Sequence, residues 1–144
     1  MQLKRDTEYA LRILFCFETE LMEKQTGADG LSIGEIGTRS GVPRVGADRV
    51  CGYLEEAGLI ASSSKGSGET VYQPKTDLRD TSLLDVLRLT EPSSQLFAVF
   101  DKSSFFYKIA EPQLQEVQTA AEKIMSELTI GRIAEAEKSK REQA

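Results

Sequence analysis

The chain alternates between apolar stripes at helical spacing and short polar breaks. In TEYALRILFCFETELMEK, Ala10, Ile13, Leu14, Phe17 and Leu21 recur every three or four residues. That period predicts an amphipathic first helix with one apolar face and with Asp6 or Thr7 as its N-cap. QTGADG reads as a loop. Ser32 with Glu35 three positions later matches a capping box, and Ile33 and Ile36 supply the apolar side of a second helix that stops near Ser40-Gly41. Pro43 suits the first turn of a third helix, since its missing N–H has no partner there in any case. Ala47, Val50, Cys51 and Leu54 cluster on one side of that helix, and Gly58 suits its C-terminal stop. Arg44, Val45, Asp48, Arg49 and Gly52 fall on the opposite arc.

Downstream, LIASSS, KGSGE and TVYQP read as strand, turn and strand, a β-hairpin. SLLDVLRLTE forms a further short helix stopped by Pro92. Residues 95–108 make an aromatic-rich connector. A last long helix is expected from near Pro112, where Leu114, Val117, Ala121, Ile124 and Leu128 step by three and four residues as a heptad-like seam. That seam is the candidate dimerisation surface. The tail EAEKSKREQA is polar and expected to fray.

The order is helix, helix, tight turn, helix, hairpin, helix, long helix. This predicts a mainly α fold with a small β-wing: a winged helix-turn-helix over residues 1–92, followed over 93–144 by a connector, a dimerisation helix and a polar tail. The third helix is then the one placed to enter a major groove. Arg44 and Arg49 are candidate contacts to phosphates or to guanine O6 and N7, against the alternative of a solvated face. Asp48 either accepts from cytosine N4 or pairs with Arg44 within the helix. Val45 is placed to meet a thymine methyl, and Lys65 and Ser67 at the wing tip to meet phosphates.

Composition narrows the function. The 144 residues carry a net charge of −5 and no histidine, with a pI of about 4.9. Bulk attraction to nucleic acid is excluded, so DNA binding has to rest on a few placed cations. The absence of histidine removes the commonest general base and metal ligand, so an enzyme, a metal site and a cofactor are not expected. No apolar run approaches a membrane span, and the N-terminus lacks a signal-like apolar stretch, which points to a cytoplasmic protein. Cys16 and Cys51 sit on or beside apolar helix faces, where a core role competes with a redox-sensing one.

KRDTEYALRILF, SIGEIGTRSGVP, YLEEAGLI and TSLLDVLRLTE, in that order, resemble successive signatures of the Rrf-two family of bacterial winged-helix regulators (the IscR, NsrR and CymR type). The resemblance implies a homodimer that binds double-stranded DNA at a pseudo-palindromic operator, usually as a repressor. Many such regulators ligate an iron–sulfur cluster with three cysteines in the stretch corresponding to Glu91–Pro112, which holds none here. Glu8 stands where some supply a carboxylate ligand, and a lone carboxylate holds no cluster. The wing carries Lys65 in place of the usual arginine, and Gly46-Ala47 replaces a Tyr-Leu pair. Phe97, Phe100, Phe105, Phe106 and Tyr107 occupy the cysteine region, either as core filling or as the lining of an effector pocket. Two other readings stand beside DNA binding: a winged-helix module that docks on a protein, and a thiol-responsive regulator.

Overall fold

A computed structural model describes residues 4–23, 30–91, 93, 95–97 and 101–143, with the side chains of 20–23 excepted. The order is α1 (Arg5–Glu23), β1 (Leu31–Ser32), α2 (Ile33–Ser40), α3 (Arg44–Glu56), β2 (Ile60–Ser64), β3 (Thr70–Pro74), a 3-10 turn (Leu78–Asp80), α4 (Leu83–Thr90), α5 (Phe105–Glu127) and α6 (Ile130–Gln143). The fold is a winged helix-turn-helix with a long helix beyond it.

Ala10, Ile13, Leu14 and Phe17 of α1 are buried, so the period in the sequence does mark the face that packs. Leu21 lies outside the described side chains. This stripe meets α2, α3, α4 and α6, with Ile36, Ala47, Val50, Leu54, Ile60, Leu78, Val86 and Ile130 completing one core. Helix α1 begins at Arg5, earlier than either expected cap. Asp6 and Thr7 are used elsewhere. Thr7, fully buried, donates to Glu91 Oε1 at 3.0 Å and lies 2.7 Å from the Thr90 hydroxyl, tying α1 to the end of α4.

The hairpin forms with Ile60 opposite Pro74 and Ser64 opposite Thr70. Strand β1, not foreseen, adds to its other side, giving the antiparallel order β1-β3-β2. Helix α3 ends where expected. Gly58 adopts φ +79°, its N–H bonds to Glu55 O, and Leu59 N–H reaches back to Leu54 O, a Schellman stop.

Two expectations for the C-terminal third need correction. The long helix starts at Phe105, not near Pro112. Ser104 caps it, its hydroxyl accepting from Tyr107 N at 3.1 Å, and Pro112 sits in the interior at the cost of one backbone donor. The tail does not fray over its described length but forms most of α6. A break at Leu128-Thr129 is held by Leu83 N–H to Leu128 O and Ile130 N–H to Thr81 O, and it returns Ile130 and Ala134 to the core beside α1.

Helix α5 leans on α4 through Met125 and Ala121 against Leu84 and Leu87. The expected seam is therefore divided: Ala121 and the half-buried Leu114 turn inward, whereas Val117, Ile124 and Leu128 are exposed. With Phe105 (78% exposed), Phe106 (66%) and Ile109 (60%), Val117 and Ile124 lie within about 120° of one another on the helix, an apolar stripe beside the packed face. Phe105 and Phe106 are thus not core filling.

Helix α1 also sets the seat of α3. The Tyr9 ring lies over Gly46, where an added Cβ would come within 2.7 Å of Tyr9 Cε2. Gly46→Ala is expected to cost about 1–3 kcal/mol by overpacking. The cost should shrink when Tyr9→Leu is made as well, and urea unfolding of the four variants checks the coupling.

Candidate nucleic-acid interface

The tight turn between α2 and α3 follows from local chemistry. The capping box at Ser32 and Glu35 forms in both directions, at 3.2 Å each, and starts α2. Gly41, at φ +73°, ends it; its N–H and that of Val42 both bond to Gly37 O. Gly37 carries no side chain where Val42 O passes, since a Cβ would stand 2.9 Å from that oxygen. Val42 is buried as the pivot, and Pro43 is the N-cap of α3, its carbonyl accepting from Ala47 N. The chain thus reverses in three residues and presents the first turn of α3 outward.

On that outward face Arg44, Val45, Asp48, Arg49 and Gly52 are all exposed, Val45 to 74%. Arg44 and Asp48 form one wall of a groove of about 390 Å³, with Ser32, Ile33 and Gly34 on a second side and Glu69, Thr70 and Tyr72 of the wing on the third. Arg44 has no carboxylate partner among the described residues, and no ion pair there joins it to Asp48. Glu69, Thr70 and Tyr72 were not singled out in the sequence; only the strand register, which carries them beside α3, brings them to the site.

Arg49 is engaged. Its Nε and Nη2 donate to the two carboxylate oxygens of Asp6 at 3.0 and 2.7 Å, a bidentate pair between α3 and the start of α1. The hydrogen bond from Arg49 holds the Asp6 carboxyl below its usual range and raises the guanidinium in turn. At the wing, Gly68 at φ +86° turns the hairpin, and Lys65 N–H bonds to Glu69 O at 2.8 Å. Ser67 is exposed at the tip and Lys65 half-buried at its base. Glu55 of α3 accepts from the N–H and hydroxyl of Ser62, anchoring the wing to that helix.

The sequence profile of Rrf2, described as an iron-dependent transcriptional regulator, matches residues 3–136. The chain belongs to the Rrf2 family. Solved structures agree on the fold. IscR of T. potens superposes with a TM-score of 0.69 at 16% identity, covering 96% of this chain and 90% of that one. CymR of B. subtilis, titled the global cysteine regulator, gives 0.71 at 15% over 94% and 98%. The oxidized form of Staphylococcus aureus CymR gives 0.64 at 21% over 94% and 97%. No protein of curated function gives a significant sequence match.

The family is one of transcription regulators, and its profile's name invokes iron. The donor set of this Rrf2 chain does not fit an iron–sulfur cluster. Its two cysteines are Cys16 and Cys51, both buried in α1 and α3, and it has no histidine. Among the described residues no three His, Cys, Asp or Glu side chains are placed to hold a metal ion. Burial pushes the Cys51 thiol up to about 12, with Asp48 and Glu55 adding to the effect, so it is a poor nucleophile. In the connector, Phe97 and Tyr107 line a cavity of only about 80 Å³ with Leu114 and Gln118; Phe100 lies outside the described residues. Gln118, buried, accepts from Leu96 N at 2.8 Å and donates to Glu122, pinning the connector to α5. Among the described residues no helix is long and apolar enough to cross a membrane.

The Asp6–Arg49 pair carries a pH signature. Because the folded-state Asp6 carboxyl is depressed, its contribution to stability is complete above the unfolded carboxylate range and is lost as pH falls through the lowered folded value. Arg49→Ala should therefore destabilise the protein at about pH 6, by an amount that shrinks as pH falls below the ordinary carboxylate range and through the lowered Asp6 value. Urea unfolding across a descending pH series measures this.

Proposed function

We propose that the protein is a homodimeric, cytoplasmic DNA-binding repressor that places the Pro43-led helix of each copy in successive major grooves of a pseudo-palindromic operator. Residues 1–92 serve as the DNA-binding unit and 93–144 supply the dimer contact. The observation that carries the reading is Arg44 with Asp48. A cation and an acceptor one turn apart stand exposed at the start of a helix that a three-residue turn holds outward. Arg44 suits guanine O6 and N7, Asp48 suits cytosine N4, and Val45 between them suits a thymine methyl. Lys65 and Ser67 suit the flanking phosphates.

Arg49 enters differently. In the free protein its charge is spent on Asp6, so a phosphate has to displace that carboxylate, and the gain is reduced accordingly. With a net charge of −5, sequence-independent attraction is weak, and selectivity rests on Arg44 and Asp48. The stripe Phe106, Ile109, Val117 and Ile124 is the surface a second copy would cover. Burial of both thiols leaves the thiol-responsive reading without support.

Arg44→Ala should weaken binding to operator fragments retained from the organism's own genome by about 1–3 kcal/mol and leave random duplex binding nearly unchanged. Lys65→Ala should weaken both alike and flatten the salt dependence. Equal losses for the two duplexes on Arg44→Ala, measured by fluorescence anisotropy, would remove its base-reading role. Ile124→Glu should give a monomer by sedimentation with unchanged helicity.

A further inference from the structure

A helix about 10–12 Å across, laid in a major groove about 12 Å wide, has a phosphate backbone on each side. On α3, Arg44 and Arg49 stand roughly 140° apart around the axis, one toward each edge of the outward face. Arg44 borders the groove whose far side is Glu69, Thr70 and Tyr72 of the wing. Arg49 borders α1, where its fork holds the Asp6 carboxylate at 3.0 and 2.7 Å. The wing, with Lys65 and Ser67, thus flanks the reading helix on one edge, and the start of α1 flanks it on the other.

That start is positively charged and fixed in place. Lys4 and Arg5 are both exposed and directly precede Asp6. Glu91, at the end of α4, accepts from Lys4 N at 3.1 Å and from the Thr7 hydroxyl at 3.0 Å, and the Lys4 ammonium lies 3.5 Å from it. Lys4 is therefore already engaged. Arg5 makes no hydrogen bond or ion pair among the described residues. The Asp6 carboxyl is held below its usual range first by the hydrogen bond from Arg49 and further by the charges of Arg5 and Lys4. A carboxylate gripped by one guanidinium fork beside a second, unengaged guanidinium stands where a phosphate could stand, because the fork matches the oxygens of either anion.

We propose that Arg5 and Arg49 form a second backbone-phosphate site, on the side of the reading helix away from the wing, which Asp6 occupies until duplex DNA arrives. The site rests on the DNA-binding reading above and extends the interface to a residue outside α3 and the wing. On DNA a phosphodiester takes Arg49 from Asp6, whose half-buried side chain turns to solvent. Asp6 thereby holds down affinity for every duplex alike, whereas Arg44 and Asp48 act on sequence.

The test uses the full chain and a random-sequence duplex, with binding followed by fluorescence anisotropy over a series of salt concentrations. Asp6→Asn should tighten binding several-fold and steepen the log–log salt dependence by up to about 0.9, the share of one phosphate contact. That gain should vanish when Arg49→Gln is the background. Arg5→Gln, which breaks no ion pair, should weaken binding several-fold and flatten the salt dependence by a similar amount. Unchanged binding by Asp6→Asn would overturn the proposal. The same gain with Arg49 replaced would overturn it too, since removing any surface negative charge would then explain it. If a variant of the pair fails to fold, as read by circular dichroism, Arg5→Gln decides, and binding equal to wild type overturns the site. If neither wild type nor any variant binds duplex at low salt, the DNA-binding reading falls and the site with it. Wild-type binding that ignores both Arg5 and Asp6 removes the site alone.

Discussion

The buried face of α1 is the surface on which the main core is assembled. Four helices from different parts of the chain pack on it, and the seat of α3 is set there, with the Tyr9 ring lying over Gly46. A larger residue at 46 would force either the Tyr9 ring or α3 itself to move. The first turn of α3 has no side-chain cap, only the backbone at Pro43. Its rigidity is borrowed from the core beneath and from the Gly37–Gly41 turn.

Polar ties fasten the outer elements to the same helix. Glu18 is almost fully buried on α1 and receives Arg79 at 3.1 Å, while Arg79 also reaches Glu135 of α6 at 2.6 Å. Burying one carboxylate is tolerable because a partner with several donors is brought to it; removing Arg79 would strand it. Thr7, Thr90 and Glu91 repeat the logic at the other end of α1. Helices α4 and α6 are therefore fastened to α1 by polar ties as well as by the core.

Local chemistry was readable where a residue acts on its immediate neighbours. The Ser32–Glu35 capping box, the stop at Gly58, the hairpin turn and the apolar face of α1 needed only spacing and side-chain type. What could not be read depended on distance. Asp6 looked like a helix cap and is instead the partner of Arg49, 43 residues away. Pro112 looked like a helix start, but Ser104 supplies a better one and α5 has enough packing through Met125 and Ala121 to absorb the lost donor. The polar tail is made of good helix formers, and what its own stretch does not show is the anchor: Ile130 and Ala134 seated in the core. At the site, Arg44, Val45 and Asp48 share the outward face as their spacing required, whereas Glu69, Thr70 and Tyr72 are brought in by strand register alone.

The central claim is that two copies of this exposed helix read duplex DNA without help from bulk charge. Selection of random duplexes by the purified protein at physiological salt, with sequencing of the bound pool, tests it most directly. The account predicts an enriched inverted repeat whose half-sites lie about one helical turn apart, with guanine or cytosine at the positions facing Arg44 and Asp48. A folded, dimeric protein that enriches no sequence would contradict it.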